Sequence, residues 1–311
     1  MQSKLRAIAT AAVLTSTATA VYAEPTPMPI SPIACLRKMA MDLTNKAPSD
    51  EDFAALAEGK PLGEFADQYI ASAAFSQIMF DVFRSAYQPT DLVPDTADKE
   101  EPARIGRHLV VNNGDFRDMV SGNYTVDASG NVVPAKDLAA GVLTTQSYLS
   151  AYAGADFRNW SGHLIKGLAG IALTPVSEVP ADIVDSSPEG LAGQPACAGC
   201  HTNPLTGVDN VASFHRCYGN NGLPVAGCTP KETTFLGKSG STLADLGRIL
   251  ADSVEWRASS IQDFFRIFWG RGIGRNETSF YRKAEQAWLD AGFKPQALVK
   301  QIVLSPEYCA R

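Results

Sequence analysis

A short run of cysteine and histidine residues has the types and spacing that best fit a known chemistry. Cys197, Cys200 and His201 stand in the order C-x-x-C-H, which is the spacing at which c-type haem is attached to a polypeptide. In that chemistry the two thiols add across the two vinyl groups of the porphyrin, and the histidine binds the iron as proximal ligand. The sequence therefore predicts one covalent haem c held by Cys197 and Cys200, with His201 on the iron.

Two other uses of a cysteine pair fit the surrounding sequence less well. A thioredoxin-like pair stands at a strand-to-helix turn, and residues 194–202 show no such pattern. A zinc site needs a second pair of ligands at close spacing, whereas ten residues separate Cys217 from Cys228. We therefore favour haem attachment over redox exchange or zinc binding.

The second axial ligand decides what such a haem does, because a haem with two strong ligands transfers electrons and one with an open face binds small molecules. His163, in a predicted helix, and His215, in the loop after the motif, are the candidate distal ligands, although each also fits a packed or surface residue. His108 fits an ordinary residue of an extended segment. A water-bound or open face is another alternative. A methionine ligand would come from upstream: Met28, Met39, Met41, Met79 or Met119.

Four cysteines remain outside the motif. In an oxidising compartment an even remainder suggests disulfides, and four thiols allow three pairings. The most economical pairing joins Cys217 to Cys228 around a short loop rich in glycine, asparagine and proline, and Cys35 to Cys309 across the two ends of the chain. Buried thiols that form no disulfide are the alternative.

The first segment of the chain predicts export. Residues 1–23 open with Lys4 and Arg6, continue through a weakly apolar stretch without acids, and close on small residues at Ala23, which is typical of a cleaved signal peptide. We expect cleavage after Ala23 and a periplasmic or exported protein. An uncleaved amphipathic helix and a lipid anchor on Cys35 are the alternatives.

Charge narrows the range of partners. The chain of 311 residues has a net charge of −6, and loss of the leader leaves 25 basic against 33 acidic residues, or −8. A chain this acidic is poorly suited to bind nucleic acid or an anionic membrane surface. Outside the leader no apolar run approaches the roughly 20 residues that span a bilayer. We therefore expect no nucleic acid partner and no transmembrane segment in the mature chain.

Hydrophobic periodicity predicts a mainly α fold, an irregular multi-helix haem domain with a loop-rich middle segment. Residues 87–105 are expected to form a loop, residues 108–112 an extended segment, and residues 203–240 irregular structure. We divide the chain into a signal peptide (1–23), a mostly helical N-terminal region (24–175) and a haem-bearing, cytochrome c-like region with C-terminal helices (176–311). Helices are predicted over 33–45, 49–57, 62–74, 75–86, 144–152, 156–172, 242–253, 259–269, 278–291 and 295–304, and short strands over 124–126 and 132–133.

Several short segments carry a resemblance to a known group of proteins. The motif is followed by a Pro-Leu-Gly-like turn at Asn203–Gly207 and by Phe214-His215, and the chain closes on a Ser-Pro-aromatic segment at Ile302–Tyr308. These features resemble exported bacterial monohaem cytochrome c-like proteins with domains of unknown function, of planctomycete or myxobacterial type, although His215 stands where their pattern has an acid. The resemblance implies a mostly helical fold and a single haem. Further similar stretches are residues 43–53, 115–126, 141–144 and 269–275.

These observations together predict an exported monohaem c-type cytochrome that passes single electrons to a redox partner protein in the periplasm or at the cell surface. The chain is longer than a simple carrier of one haem needs, which suggests docking surfaces or a substrate pocket. One alternative is therefore a haem enzyme, peroxidase-like or oxidase-like, with an open distal face. Another is a haem-containing binding module of a larger exported complex.

Overall fold

Helices form most of the chain that the structure, a computed structural model, describes. It describes residues 31–87, 93–135, 140–153, 157–173, 199–203 and 205–309. The mainly α class predicted from the sequence is confirmed. The helices are α1 (Pro32–Thr44), α2 (Asp50–Ala57), α3 (Leu62–Ile70), α4 (Ala73–Tyr87), α5 (Glu101–Val111), α6 (Asp118–Ser121), α7 (Gln146–Ala151), α8 (Arg158–Gly167), α9 (Val208–Phe214), α10 (Leu243–Ala251), α11 (Val254–Trp269), α12 (Thr278–Asp290), α13 (Pro295–Val303) and α14 (Pro306–Cys309). Within the described ranges no helix has the length and apolar character needed to cross a membrane.

Two short antiparallel hairpins accompany the helices. Strand β1 (Tyr124–Val126) pairs with β2 (Val132–Pro134), which confirms the strands predicted there. Strand β3 (Thr233–Phe235) pairs with β4 (Lys238–Gly240) inside the segment that was expected to be irregular. Single turns of 3-10 helix lie at Gly141–Thr144 and Arg275–Glu277.

Local capping signals explain where the first helices begin. The Ser31 hydroxyl accepts a hydrogen bond from the Ala34 N–H at 3.3 Å, and Pro32 occupies the first helical position of α1. Ser49 and Asp52 form a reciprocal capping box at the start of α2. These groups satisfy backbone donors that a helix start leaves unpaired. The sequence therefore predicts well where both helices begin.

The largest difference from expectation is α5, which spans residues that were predicted as loop and extended chain. Gly106 explains how this helix packs, because a Cβ there would lie 2.5 Å from the ring of Phe83 on α4. The missing side chain lets the two helices approach closely, and Leu109 and Val110 are buried in the same core. Tertiary packing therefore overrides the weak local propensity of an Ile/Val-rich segment.

The second difference is α9, which lies in the stretch after the motif that was expected to lack regular structure. Val208, Val211 and Phe214 of this helix are buried, so one face packs into the core. The helix occupies only seven residues, and such a short apolar pattern between glycines and prolines is hard to recognise from sequence.

One apolar core joins the two ends of the chain. It contains residues of α1 and residues of α13 and α14, from Leu36 to Tyr308. The Tyr308 hydroxyl donates a hydrogen bond to Asp42 of α1 at 2.6 Å, and a disulfide joins Cys35 to Cys309. The predicted boundary between residues 175 and 176 lies outside the described residues.

Candidate functional site

Two of the three motif residues lie in the described part of the chain. Cys200 and His201 belong to a short helical turn at residues 199–201, and both are half-buried. Cys197 lies outside the described residues. The described part of the motif thus places a thiol and an imidazole on consecutive helical positions.

Two disulfides involve the other four cysteines. Cys217 is bonded to Cys228 with Cα atoms 5.5 Å apart, and Cys35 is bonded to Cys309 with Cα atoms 4.8 Å apart. Both pairings are those predicted from the sequence. Cys200 takes part in neither of these two bonds.

A carboxylate stands directly behind the predicted iron ligand. Nδ1 of His201 lies 3.2 and 3.3 Å from the two carboxylate oxygens of Asp209, at the start of α9. With the proton on Nδ1 the imidazole donates to this carboxylate, and Nε2 is then the nitrogen with a lone pair. Metal-binding histidines usually have such a partner on the other ring nitrogen, because it selects the tautomer, orients the ring and raises its basicity.

An arginine holds the carboxylate in turn. Nε of Arg158, the first residue of α8, donates to Oδ1 of Asp209 at 2.7 Å. The side chains are 16% and 11% exposed, so the pair is shielded from water and the interaction is stronger than at an open surface. His201, Asp209 and Arg158 thereby form a chain of polar contacts that ties the motif to α8 and α9.

The turn between His201 and α9 depends on a glycine. A Cβ at Gly207 would lie 2.6 Å from the carbonyl oxygen of His201 and 2.7 Å from that of Asn203. The Gly207 N–H donates to the Asn203 carbonyl at 2.7 Å, and the Asn203 side-chain oxygen accepts from the Leu205 N–H at 2.8 Å. The absence of a side chain therefore lets α9 start close enough for Asp209 to reach the imidazole.

His215, one predicted distal ligand, is fully buried at the end of α9. Its ring stacks on Phe157 with centroids 3.8 Å apart and meets Trp160 edge-on at 4.9 Å. Burial lowers its pKa to about 4, against weaker opposing effects of the backbone at His215 and Leu149. Neither ring nitrogen makes a hydrogen bond of regular geometry, which is a costly state for a buried polar group.

His163, the other predicted distal ligand, lies on an exposed face of α8. Its ring stacks on Tyr152 with centroids 3.7 Å apart, and burial, with a smaller effect of Lys166, lowers its pKa. His163 lines an open cleft, and Met119, one of the methionines considered as a ligand, lines the same cleft. The structure thus places His163 and His215 in different surroundings, one exposed beside Tyr152 and the other buried between Phe157 and Trp160.

The other methionines considered as iron ligands, and His108, are in other surroundings. Met39 and Met79 are buried in the apolar core, and Met41 is exposed, while Met28 lies outside the described residues. His108 belongs to α5, where its Nδ1 lies 3.0 Å from the side-chain amide of Asn112. These positions show ordinary packing and helix-surface contacts.

The donor set fits a haem better than a metal ion held by the protein alone. Among the described residues no group of three or more histidine, cysteine, aspartate or glutamate side chains could hold a metal ion. A porphyrin supplies four nitrogen ligands itself, so one imidazole with a fixed tautomer is sufficient on the proximal side. His201 with Asp209 behind it meets that requirement.

Asp209, Arg158 and Gly207 are the site residues that the sequence did not reveal. An acid eight residues after a motif histidine is a weak signal, since acids are common near helix starts. In the folded chain, the close turn at Gly207 brings Asp209 into contact with His201.

Comparison of this chain with protein-family models, with curated proteins and with solved structures found no match.

Proposed function

We propose that this protein is an exported c-type cytochrome that carries one haem c on Cys197, Cys200 and His201 and transfers single electrons. The observation that carries the proposal is the contact of Nδ1 of His201 with Asp209. It gives the histidine of the C-x-x-C-H run the partner that an iron-binding imidazole needs. The haem supplies a one-electron Fe(III)/Fe(II) couple when it is bound.

The side chains around the motif have separate roles in this proposal. Asp209 keeps the proton of His201 on Nδ1 and turns Nε2 away from α9. Arg158 fixes the carboxylate and joins α8 to the site. Gly207 keeps α9 at contact distance. Together these residues hold the imidazole before any cofactor binds, which limits its reorganisation.

Of the two predicted distal ligands we favour His215. Its ring is fully buried, neutral at pH 7 and without a regular hydrogen bond on either nitrogen. Coordination to iron would offset the cost of burying these nitrogens. His163 lies on an exposed face and contacts Tyr152, so it has less need of a metal partner.

Export is part of the same proposal. The leader-like residues 1–23 and the two disulfides both fit an oxidising compartment, where disulfides persist. Haem attachment to C-x-x-C-H also takes place outside the cytoplasm in the proteins that the sequence resembles. We therefore place the protein, and its redox partner protein, in the periplasm or at the cell surface.

The second candidate function is a haem oxidoreductase with an open distal face. The observation in its favour is the cleft of about 1050 Å³ beside α8, which is large enough to hold a small-molecule substrate.

Optical spectra of the ferric and ferrous protein, before and after carbon monoxide, separate the two functions. Two strong axial ligands predict a low-spin spectrum that carbon monoxide leaves unchanged. A high-spin ferric spectrum with rapid carbon monoxide binding would replace electron transfer by the enzyme alternative. A protein without any haem absorption would contradict both.

A further inference from the structure

An open cleft of about 1050 Å³ lies between α4, α8 and α11. Its deep part is lined by aromatic side chains that are buried in the core: Phe83, Phe116, Tyr148, Trp256 and Phe264. Aromatic rings at fixed positions favour a flat, apolar ligand, because such a ligand can stack on faces and meet edges.

The mouth of the cleft is polar but electrically balanced. Lys166 and Arg266 contribute two cations, while Glu255 and Asp263 contribute two carboxylates. Arg266 and Asp263 form an ion pair with each other, with Nη1 and Oδ1 2.6 Å apart. Because the formal charges cancel, the mouth favours a neutral polar group over a strongly charged one.

His163 stands at this mouth with its ring held against Tyr152 at 3.7 Å between centroids. Its pKa is lowered, first by burial and then by Lys166, which favours the neutral form of the imidazole. A neutral imidazole has one N–H donor and one nitrogen acceptor. It can therefore bind a hydroxyl group or a carbonyl oxygen.

Small residues keep the mouth open. A Cβ at Gly167, the last residue of α8, would meet no atom within 4 Å. The carbonyl oxygen of Gly167 accepts a hydrogen bond from the Ser259 hydroxyl of α11 at 3.3 Å, and this contact holds the two rims together. Gly167 thus lines the cleft at a point where an added Cβ would meet no described atom.

We propose that this cleft binds a neutral aromatic molecule of the phenol, hydroquinone or quinone class. The ring lies against the aromatic floor, and the hydroxyl or carbonyl oxygen lies at the mouth beside His163.

A series of ring contacts connects the cleft with the haem motif. Tyr148, in the cleft wall, meets Trp160 at 6.2 Å between centroids, and Trp160 meets His215 at 4.9 Å. His215 ends α9, and Asp209 of the same helix contacts His201. The ligand site is therefore linked by ring contacts to His215, and the helix that ends at His215 also carries Asp209, which contacts the motif.

This link suggests what the ligand does, and this step rests on the proposed haem function. A hydroquinone in the cleft is the electron donor of the ferric protein. With the haem bound, one hydroquinone would supply two electrons, one to each of two ferric protein molecules, lose two protons to solvent at the mouth, and leave as the quinone.

Binding is tested first, by equilibrium dialysis of the purified mature protein against 2-naphthol at pH 7. We expect saturable binding of one molecule. Gly167→Phe, which fills the mouth, should weaken it by about tenfold or more, whereas Gly167→Ala, which makes the same backbone change without filling the mouth, should leave it unchanged. Equal binding by the two variants, or no saturable binding at all, would overturn the proposal.

The orientation of the ligand is tested with His163→Leu, which keeps the volume of the side chain but removes its hydrogen bonds. Binding of 2-naphthol should weaken by about tenfold, as expected for one lost hydrogen bond, and the optical spectrum of the protein should not change. Lys238→Gln, on the exposed strand β4, is the surface control. Tighter binding of 2-naphthoate or of naphthylmethylammonium than of 2-naphthol, or a changed haem spectrum in His163→Leu, would contradict the assignment.

The donor role is tested by anaerobic mixing of the ferric protein with 1,4-naphthohydroquinone. Gly167→Phe should slow reduction by about tenfold relative to Gly167→Ala, while reduction by dithionite stays equal. A colourless protein that binds 2-naphthol in this pattern would refute the haem function and leave the binding site standing. A coloured protein that does not bind it would refute only the site.

Discussion

Oδ1 of Asp209 lies 3.2 Å from Nδ1 of His201, which stands eight residues before it in the chain. The carboxylate thus contacts the imidazole on the side away from Nε2. A carboxylate in this position makes the ring more electron-rich than a backbone carbonyl would. An iron held on Nε2 of His201 would then be stabilised in its ferric state. Substitutions at the residues around this contact test the role of each in turn.

Replacing Asp209 by asparagine should raise the reduction potential of the haem. The substitution keeps the shape of the side chain and removes the negative charge that favours the ferric state. A change of 10–100-fold in the strength of ligation, typical for such partners, corresponds to roughly 60–120 mV. The measurement is a spectroelectrochemical titration of the wild type and the variant.

Asp290→Asn is the matched control, since Asp290 is an exposed residue of α12 whose side chain accepts a hydrogen bond from Gln286 at 2.7 Å. Its potential should equal that of the wild type. If Asp209→Asn also leaves the potential unchanged, the carboxylate does not support an iron ligand.

A methyl group at Gly207 should disturb the site through the backbone. Gly207→Ala places its Cβ 2.6 Å from the carbonyl oxygen of His201, so α9 must move away and Asp209 with it. We expect a loss of about 1–3 kcal/mol in the free energy of unfolding, and a shifted haem potential.

Gly199→Ala provides the comparison inside the motif itself, where a Cβ meets no atom of the described residues within 4 Å. Chemical denaturation and the same titration check both variants. Equal stability and equal potential in the two variants would show that the close turn at Gly207 has no role.

The distal ligand should be identified by a pair of histidine variants. His215→Ala should convert a low-spin spectrum to a high-spin one, whereas His163→Ala should leave it low-spin, because only His215 has buried nitrogens without regular hydrogen bonds. Circular dichroism monitors folding, since loss of a buried ring in contact with Phe157 and Trp160 lowers stability. The opposite pattern would assign the ligand to His163, and two unchanged spectra would exclude both.

The sequence predicted the parts of the structure that depend on local signals. Ser31-Pro32 and Ser49 with Asp52 mark helix starts, and the short loop between Cys217 and Cys228 favours a bridge. It failed at α5, because that helix depends on the close approach of Gly106 to Phe83. A close contact between two helices does not alter the hydrophobic periodicity of either sequence segment, so the sequence does not reveal it.

The residues of the candidate site were likewise predicted from the sequence only in part. His201 was predicted from its own motif, whereas Asp209 and Arg158 belong to two different helices and come together only in the folded chain. His163 and His215 looked alike in sequence. Their difference lies in burial, which depends on Phe157, Trp160 and Tyr152 around them.

Stability in acid should depend on the pair formed by Asp98 and Arg104. The Arg104 side chain is only 6% exposed and also donates to the Val126 carbonyl at 2.9 Å. Burial alone would raise the pKa of Asp98, but the Arg104 guanidinium and the backbone N–H groups of Glu100 and Glu101 together outweigh burial and hold that pKa below its usual value. A lowered pKa in the folded state stabilises the protein above the unfolded pKa of about 3.9, and this stability is lost as the pH falls through the folded value.

Asp98→Asn should therefore cost about 1–2 kcal/mol at pH 7 and progressively less below pH about 4, as measured by urea denaturation across pH. Asp95→Asn is the control, because Asp95 is fully exposed and lies 3.9 Å from Lys99. A difference between wild type and Asp98→Asn that does not vary with pH would rule out the ion pair as its source.

The two disulfides should contribute unequally to stability. Cys35–Cys309 closes a sequence separation of 274 residues and Cys217–Cys228 one of 11. Since a cross-link stabilises mainly by restricting the unfolded chain, the double serine variants should lose about 5 and about 3 kcal/mol, respectively. Denaturant titrations of both variants check the order, and a larger loss from the short loop would contradict it.

The mass of the mature protein tests the central claim most directly. The protein is produced with a complete cytochrome c maturation system, denatured, and weighed intact beside Cys200→Ser. The account predicts that the wild type retains the added mass of one haem after denaturation and that the variant loses the fully attached form. A wild-type protein with the mass of the bare polypeptide under these conditions would contradict it.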